Sequence, residues 1–320
     1  MQHAELLLAI RDASARIADI VQRTPTVQSG ALSRAAGAAV YLKLEHLQHT
    51  GSFKLRGASA KLTKLPRDAS VVTASTGNHG LAVTYAAQAL GMRPPRVFVP
   101  KSADAEKVER LRVAGAEVVV EGAECVDAEE AAAAAAVRAS SVYVSPYNDL
   151  DVVAGQGTLG LELALDLPRI DRVYVAVGGG GLIAGVAAAV KAAHPSARVI
   201  GCLPANSAGM AASIRAGRIV VAPEEPTYSD ATAGGVESGS VTFPLCQALV
   251  DEWSTVTEDE IAGAWHALFA AERWVVEGAA AVPVAALTKT PPQAGEHAVI
   301  VLCGRNISLT KLERLRAHAR

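Results

Sequence analysis

Short β-branched segments alternate with longer segments of helical periodicity along most of this chain. The short segments have the length and composition of buried strands, and in the longer ones apolar residues recur at helical spacing. The predicted strand and helix pairs are 71–73 with 78–90, 96–99 with 104–114, 117–120 with 128–139, 173–177 with 182–193 and 199–202 with 207–216, followed by a last strand at 297–302 and a C-terminal helix. Repeated alternation of this kind predicts an α/β fold whose mainly parallel sheets are flanked by helices on both faces.

The strand and helix units form two series along the chain. One series lies within residues 50–147, the other runs from Asp171 onward, and no Pro/Gly-rich linker separates them. We therefore predict two lobes, with a small lobe of residues 50–147 inserted into a large lobe built from residues 1–49 and 148–320. The cleft between the lobes is the expected ligand site, because ligands of such sheets bind at the carboxyl ends of the strands.

Composition narrows the class of protein. Of the 320 residues, 50% are hydrophobic but only 4% are aromatic, so small aliphatic side chains must form the core, and the alanine run 131–136 predicts a surface helix. A net charge of −2 without a basic stripe argues against nucleic acid as a partner. No uncharged apolar run reaches the roughly 18 residues of a membrane span, and the N-terminus lacks the order of a signal peptide. The cysteines are far apart and form no CxxC pair, which predicts a cytoplasmic location; they are Cys125, Cys202, Cys246 and Cys303.

Lys54 lies in an unusual context for a lysine at the start of a helix. It follows the strand-like run 40–44, opens a helix predicted to reach Lys64, and has Gly51, Phe53 and Gly57 as close neighbours. Most lysines at helix starts are solvated, but a buried amine loses its proton more easily. Because only a neutral amine forms a Schiff base with an aldehyde, this context indicates a catalytic lysine.

Two loops between a strand and a helix have the composition of anion-binding sites. Residues 75–80, Ser-Thr-Gly-Asn-His-Gly, contain more polar and glycine positions than a helix cap requires. Residues 178–181 are four successive glycines, which allow the backbone to surround a phosphate without interference from Cβ atoms. The second loop fits neither the dinucleotide GxGxxG spacing nor a P-loop.

In their order and spacing these motifs resemble the fold-type II (tryptophan synthase β-like) pyridoxal-phosphate enzymes, and within them the serine/threonine dehydratase and serine racemase family. The resemblance covers nearly the whole chain, from Arg23-Thr24-Pro25 to Cys303-Gly304-Arg305-Asn306. It implies pyridoxal 5'-phosphate as cofactor, with Lys54 as the Schiff-base lysine and as the base that acts at the substrate Cα.

The resemblance also implies roles for the other site residues. The expected cofactor contacts, besides Lys54, are Phe53, Asn78, Gly178, Gly179, Gly180, Gly181, Leu182, Gly235, Glu277 and Cys303. The expected substrate contacts are Ser75, Thr76, Gly77, Asn78 and His79. Cys303 is at the position that faces the pyridine nitrogen; a thiol does not protonate this nitrogen as an aspartate does, which favours prompt loss of a β-substituent.

The expected reaction is β-elimination from L-serine, L-threonine or a modified analogue, giving a 2-oxo acid and ammonia. The first alternative is a serine-type racemase, in which Thr76 is the second acid/base. A cysteine synthase-like β-replacement is disfavoured by His79, and a non-catalytic binding protein is disfavoured by the presence of Lys54. The resemblance further implies a homodimer.

Departures from the family pattern narrow the substrate. Relatives that bind a divalent cation carry acidic residues where this chain has Leu203 and Gly209, so no metal is expected. Relatives that use dicarboxylates place an arginine in the region matching 125–130, which has none here, although Arg56 or Arg305 would serve if it pointed inward. Residues 232–240 are similar to dehydratases of specialised catabolism, such as hydroxyectoine utilisation, which implies a modified or bulky β-hydroxy amino acid.

Overall fold

The computed structural model of the protein describes residues 3–318. The helices are α1 (His3–Ile17), α2 (Gly30–Ala36), α3 (Lys54–Leu62), α4 (Asn78–Ala89), α5 (Ala105–Val113), α6 (Cys125–Arg138), α7 (Leu150–Asp166), α8 (Gly181–Ala193), α9 (Gly209–Ala216), α10 (Thr242–Leu249), α11 (Glu258–Glu272), α12 (Gly278–Lys289) and α13 (Leu309–His318). The strands are β1 (Thr26–Gln28), β2 (Ala39–Lys43), β3 (Val71–Ala74), β4 (Arg96–Val99), β5 (Glu117–Val120), β6 (Val142–Tyr143), β7 (Arg172–Ala176), β8 (Arg198–Pro204), β9 (Glu252–Val256) and β10 (His297–Val301).

The strands form two sheets. The large sheet has the order β1-β2-β10-β7-β8-β9 and the small sheet the order β5-β4-β3-β6. Every pairing is parallel except that of β1 with β2. The α/β fold with mainly parallel sheets is therefore confirmed. All strands of the small sheet lie between Val71 and Tyr143, which agrees with the predicted small lobe, while the lobe boundaries themselves stay a prediction.

The core of the large sheet lies on its central strands. Every residue of β7 is buried, as are Gly181–Val190 of α8. Glycine residues allow helices α3 and α7 to approach each other closely. A Cβ added at Gly155 of α7 would lie 2.5 Å from the carbonyl oxygen of Arg56 in α3. This close contact packs α3, the helix that begins at Lys54, against α7.

The alanine run forms part of a surface helix, α6, as predicted, but one face of that helix is buried. Ala132, Ala135 and Ala136 are at most 4% exposed and pack on the small sheet with Phe98, whereas Ala133 and Ala134 are exposed. Strand β9 was not predicted, because its sequence Glu-Trp-Ser-Thr-Val is largely polar; it pairs only with β8 at the edge of the large sheet. None of the helices within residues 3–318 is both long enough and apolar enough to cross a membrane.

Candidate active site

Lys54 is the first residue of α3, and its amine faces a cavity between the two sheets. Its Nζ donates a hydrogen bond to the carbonyl oxygen of Pro146 at 2.9 Å and lies 5.3 Å from the centroid of the Phe53 ring. Burial lowers the pKa of Lys54 to about 8, against the opposing effect of Cys303 and the Glu277 carboxylate. Near neutral pH the amine is thus neutral far more often than that of an exposed lysine, and Schiff-base formation requires this neutral form.

The glycine loop connects β7 to α8 and forms a concave backbone surface. Gly180 has a φ of 85°, in the left-handed region that favours glycine. A Cβ added at Gly179 would lie 2.3 Å from Cγ of Tyr147, and one added at Gly178 would lie 2.9 Å from the carbonyl oxygen of Thr232. No side chain caps the start of α8. The loop therefore presents free backbone N–H groups at a helix N-terminus, where a phosphate binds favourably.

The loop that begins at Ser75 connects β3 to α4. Helix α4 begins at Asn78, and its N-cap residue Gly77 provides no side-chain hydrogen bond. The Ser75 hydroxyl accepts a hydrogen bond from the N–H of Gly77 at 3.2 Å. The first N–H groups of α4 have no partner within the helix, so this end of the helix is open to a carboxylate.

Asn78 joins a buried polar network with Glu277 and Asn306. Its Nδ2 donates to both carboxylate oxygens of Glu277, at 2.9 and 3.0 Å, and its Oδ1 accepts from Nδ2 of Asn306 at 2.5 Å. Burial raises the pKa of Glu277 to about 7, although the hydrogen bond from Asn78 lowers it. Burial also raises the pKa of Cys303, whose thiol is therefore uncharged at neutral pH.

His79 is 2% exposed and forms part of the wall of the same cavity. Its Nε2 lies 3.0 Å from the carbonyl oxygen of Val144, a contact in which the ring nitrogen donates. Burial, together with the Lys54 charge, lowers the pKa of His79 to about 3, so the ring stays neutral. With its proton on Nε2, the Nδ1 atom is an acceptor, and it has no hydrogen-bond partner among the described residues.

Most of the predicted site residues meet in two adjoining cavities that share Lys54, Asn78 and Glu277. The first, which we call the Ser75 cleft, is lined by the loop residues Ser75, Thr76, Gly77, Asn78 and His79. The second, the glycine-loop cavity, is lined by Phe53, Gly178, Gly179, Gly180, Gly181, Leu182 and Cys303.

Three expected contributors are located elsewhere. Gly235 lines neither cavity, and the stretch that does is Ala231 to Ala233. Arg56 does not point into either cavity, because its guanidinium is buried elsewhere and bound by Glu45 and Glu162. Arg305 is exposed and lines a different groove.

Sequence reasoning missed several residues of the two cavities. The missed residues include Lys107, Glu129, Pro146, Tyr147, Asp230 and Asn306. Pro146 and Tyr147 follow β6 at the carboxyl end of a parallel strand, a position that identifies ligand loops in such sheets. No local pattern marks the others, since they come from helices and loops that only the folded chain brings together.

Comparisons with known proteins agree with this geometry. A family model described as "Pyridoxal-phosphate dependent enzyme" matches residues 17–304. The L-threonine ammonia-lyase of Thermotoga maritima is 41% identical over 309 residues, which cover 96% of this chain and 77% of that protein. The processed form of threonine deaminase isoform 2 from Solanum lycopersicum has a TM-score of 0.93 at 32% identity, covering 100% of this chain and 94% of that one. Maize serine racemase has a TM-score of 0.89 at 32% identity, covering 98% and 99%.

The two cavities fit a phosphate-bearing aldehyde. The glycine loop is a backbone cradle that a single Cβ would fill, and Lys54 is an amine of lowered pKa in the wall of the same cavity. The chain therefore belongs to the pyridoxal-phosphate dependent enzymes, within the serine/threonine dehydratase group, and its cofactor is pyridoxal 5'-phosphate.

Proposed function

We propose that this protein eliminates water from a β-hydroxy amino acid, such as L-serine, L-threonine or a modified analogue, and that hydrolysis of the resulting enamine takes up water again, so that a 2-oxo acid and ammonia are released. The observation that carries the proposal is the position of Lys54, whose amine has a pKa of about 8 and lies between the glycine loop and the uncapped start of α4. The relatives named above as threonine ammonia-lyase and threonine deaminase support the same reaction.

Lys54 moves the protons of this reaction. The cofactor, when bound, supplies an electron-withdrawing ring that stabilises negative charge at the substrate Cα. The neutral Lys54 amine takes the proton from Cα, and the resulting ammonium returns a proton to the departing β-hydroxyl. A pKa near the working pH suits both transfers, because the group then exists in each protonation state.

The start of α4 orients the substrate. Its free N–H groups, at Asn78 and His79, bind the α-carboxylate, with the positive end of the helix dipole favouring that charge. His79 remains neutral, so the α-carboxylate is bound by these N–H groups and not by a charged imidazole ring. Cys303 in the other cavity is an uncharged thiol, which would not protonate the cofactor's ring nitrogen as an acidic side chain would, and this would favour loss of the β-hydroxyl.

Racemisation is the second candidate, on the observation that Thr76 lines the same cleft as Lys54. A proton donor opposite the lysine returns a proton to the other face of Cα. The structural similarity to maize serine racemase, at 32% identity, supports keeping this alternative, and it is secondary because the Thermotoga maritima relative at 41% identity is an L-threonine ammonia-lyase.

The test is a product assay on the cofactor-loaded protein with L-serine, L-threonine and larger β-hydroxy amino acids. We expect 2-oxo acid and ammonia in equal amounts, with both products and the absorbance band of the bound cofactor lost in Lys54→Ala. The matched control is Lys64→Ala, which removes a partly exposed lysine more than two helical turns beyond Lys54 in the sequence. Inversion at Cα without ammonia would replace the dehydratase by the racemase, and an unchanged absorbance band in Lys54→Ala would contradict both.

We further propose that the protein is a cytoplasmic homodimer, and that each chain consists of a small lobe, residues 50–147, inserted into a large lobe of residues 1–49 and 148–320. The free, buried cysteines Cys202, Cys246 and Cys303 support a reducing compartment, and the membership of the two sheets supports the division. Sedimentation equilibrium tests the dimer, and limited proteolysis that releases a stable core of the large sheet tests the lobe boundaries.

A further inference from the structure

Helix α6 places a carboxylate in the Ser75 cleft. Ala128 is buried against the small sheet, whereas the next residue, Glu129, is half-buried and lines the cleft together with Lys54 and the 75–79 loop. The Glu129 carboxylate is close enough to interact electrostatically with Lys54 and Glu237. Glu129 therefore lines the same cleft as the start of α4, the proposed site of the α-carboxylate, and a substrate side chain held in this cleft is exposed to its charge.

The other charges of this cleft are already paired. Lys107 binds Asp230 at 2.8 Å, and Lys311 binds the same Asp230 carboxylate. Glu277 is bound by Asn78. Glu129, in contrast, forms neither an ion pair nor a hydrogen bond with any residue in the part of the chain that the structure describes.

The surroundings of Glu129 make this lack of a partner costly. Burial raises the pKa of Glu129, the Glu237 carboxylate raises it further, and only Lys54 opposes them. Glu237 is itself satisfied, since it accepts a hydrogen bond from Nδ2 of Asn148 at 2.7 Å. A half-buried carboxylate that feels Lys54 at a distance but forms no ion pair or hydrogen bond is unfavourable, and a cation bound against it would stabilise it.

The rest of the wall of the cleft does not oppose a cation. His79 is 2% exposed, its Nε2 donates to the carbonyl oxygen of Val144, and burial keeps its ring neutral. The positively charged side chains among the described residues that line the cleft are Lys54 and Lys107, and Lys107 is paired with Asp230. A ligand with an ammonium group therefore meets Glu129 with Lys54 as the one unpaired positive charge that the described residues place in the wall.

We infer that Glu129 is a specificity-determining residue, and that the substrate is a β-hydroxy α-amino acid whose side chain ends in a positively charged group, such as an ammonium one or two carbons beyond Cβ. This inference rests on the proposed function, because it takes the Ser75 cleft as the amino-acid site. It also gives a physical reason why a dicarboxylate is a poor substrate: its second carboxylate would meet Glu129 instead of a cation.

The test compares three substrates of one skeleton: L-threonine, 2,4-diamino-3-hydroxybutyrate and 3-hydroxyaspartate, whose γ groups are neutral, cationic and anionic. In the unmodified protein we expect kcat/KM for the cationic compound to exceed that for threonine at least tenfold, with the anionic compound poorest. Glu129→Gln is expected to lower the ratio of cationic to neutral kcat/KM at least tenfold, and Glu129→Asp to retain part of it. The control is Glu130→Gln, which changes the exposed neighbour on the same helix and is expected to leave the ratio unchanged.

A binding measurement separates this inference from the proposed reaction. 2,4-Diaminobutyrate and 2-aminobutyrate lack the β-hydroxyl and cannot lose water, and their dissociation constants follow from spectral titration of the cofactor-loaded protein. We expect tighter binding of the diamino compound, lost in Glu129→Gln, even if no substrate yields a 2-oxo acid. A preference for threonine and 2-aminobutyrate in the unmodified protein, or equal effects of Glu129→Gln on cationic and neutral compounds, would overturn the inference.

Discussion

At the scale of single residues, the protonation states of the site follow from burial. Lys54 is driven toward its neutral form, Glu277 and Cys303 toward their protonated forms, and His79 is held neutral. Each shift has desolvation as its largest cause, and nearby charges modify it. The site thus gathers its titratable groups in a state of low net charge before any ligand is bound, and Glu129 is the group that this arrangement leaves without a partner.

The pKa of Lys54 predicts how cofactor capture depends on pH. Below about pH 8 the amine is mainly protonated and cannot attack an aldehyde, so the rate at which cofactor-free protein binds pyridoxal phosphate should rise by about tenfold per pH unit and level off above about pH 8. Stopped-flow absorbance measures this rate. Because Glu277 raises the pKa of Lys54, Glu277→Gln should move the plateau to lower pH; a shift to higher pH would contradict the assignment.

The glycine loop predicts a specific effect of one methyl group. In Gly179→Ala the new Cβ would lie 2.3 Å from Cγ of Tyr147, so either the Tyr147 ring or the glycine loop must shift, and both line the cavity. We expect at least a tenfold weaker affinity for pyridoxal phosphate, measured by equilibrium dialysis. The matched control is Gly263→Ala in α11, which meets nothing within 4 Å and should stabilise the helix by up to about 1 kcal/mol without changing cofactor affinity.

At the scale of secondary-structure elements, a buried ion network holds α3 in place. Arg56 binds both oxygens of Glu45, each at 2.8 Å, and an oxygen of Glu162 at 2.6 Å. Lys43 of β2 binds the same Glu162 at 2.7 Å. Because Arg56 and Lys54 belong to one helix, this network sets the position of the reactive amine from a distance.

Removal of one partner of this network should therefore destabilise the fold. For Arg56→Ala we expect the free energy of unfolding to fall by about 3–5 kcal/mol, because the buried Glu45 carboxylate loses its ion-pair partner while Glu162 keeps only Lys43. Urea denaturation followed by circular dichroism measures the change. The control Arg112→Ala breaks a surface pair with Glu109 and should change stability by no more than about 0.5 kcal/mol.

Elements of strong periodicity were predicted well, and the others were not. The parallel strands β3, β4, β7 and β8 are short apolar runs between helices, and sequence alone located them. Strand β9 was not predicted from the sequence, because an edge strand is only half-buried and its residues need not be apolar. The alanines of α6 predicted a surface helix, because alanine has high helix propensity in any environment. Which of them are buried depends on the small sheet against which the helix packs, and this is not visible in the local sequence.

At the scale of the whole molecule, Asp230 joins distant parts of the chain. It accepts from Lys107 of α5, beside the small sheet, and from Lys311 of α13 in the C-terminal part of the chain. Both cations lower the pKa of Asp230, which is therefore charged at neutral pH. These contacts link α5 to α13 through Asp230 at the Ser75 cleft, which Lys107 and Asp230 both line.

Loss of this link should loosen α5 more than the rest of the protein. In Asp230→Asn we expect amide hydrogen exchange in Ala105–Val113 to become at least tenfold faster, since hydrogen bonds to charged groups contribute about 1.5–3 kcal/mol. Exchange measured by mass spectrometry reports on the helix. Glu117→Gln is the matched control, because the pair it breaks with Arg96 stays within the small sheet; equal exchange in the two variants would contradict the role of Asp230.

The sequence by itself determined the alternation of strands and helices and the parallel sheets, and it predicted Lys54 and the two glycine-containing loops that line the cavities. These features are local: a strand, a glycine run or a helix start is written in a few consecutive residues. Only the tertiary structure decided that Arg56 faces Glu45 and Glu162, that Gly235 lies outside the cavities, and that Glu129 stands unpaired beside Lys54. The physical reason is that burial and charge pairing depend on residues far apart in the chain, and no local pattern specifies which of them will meet.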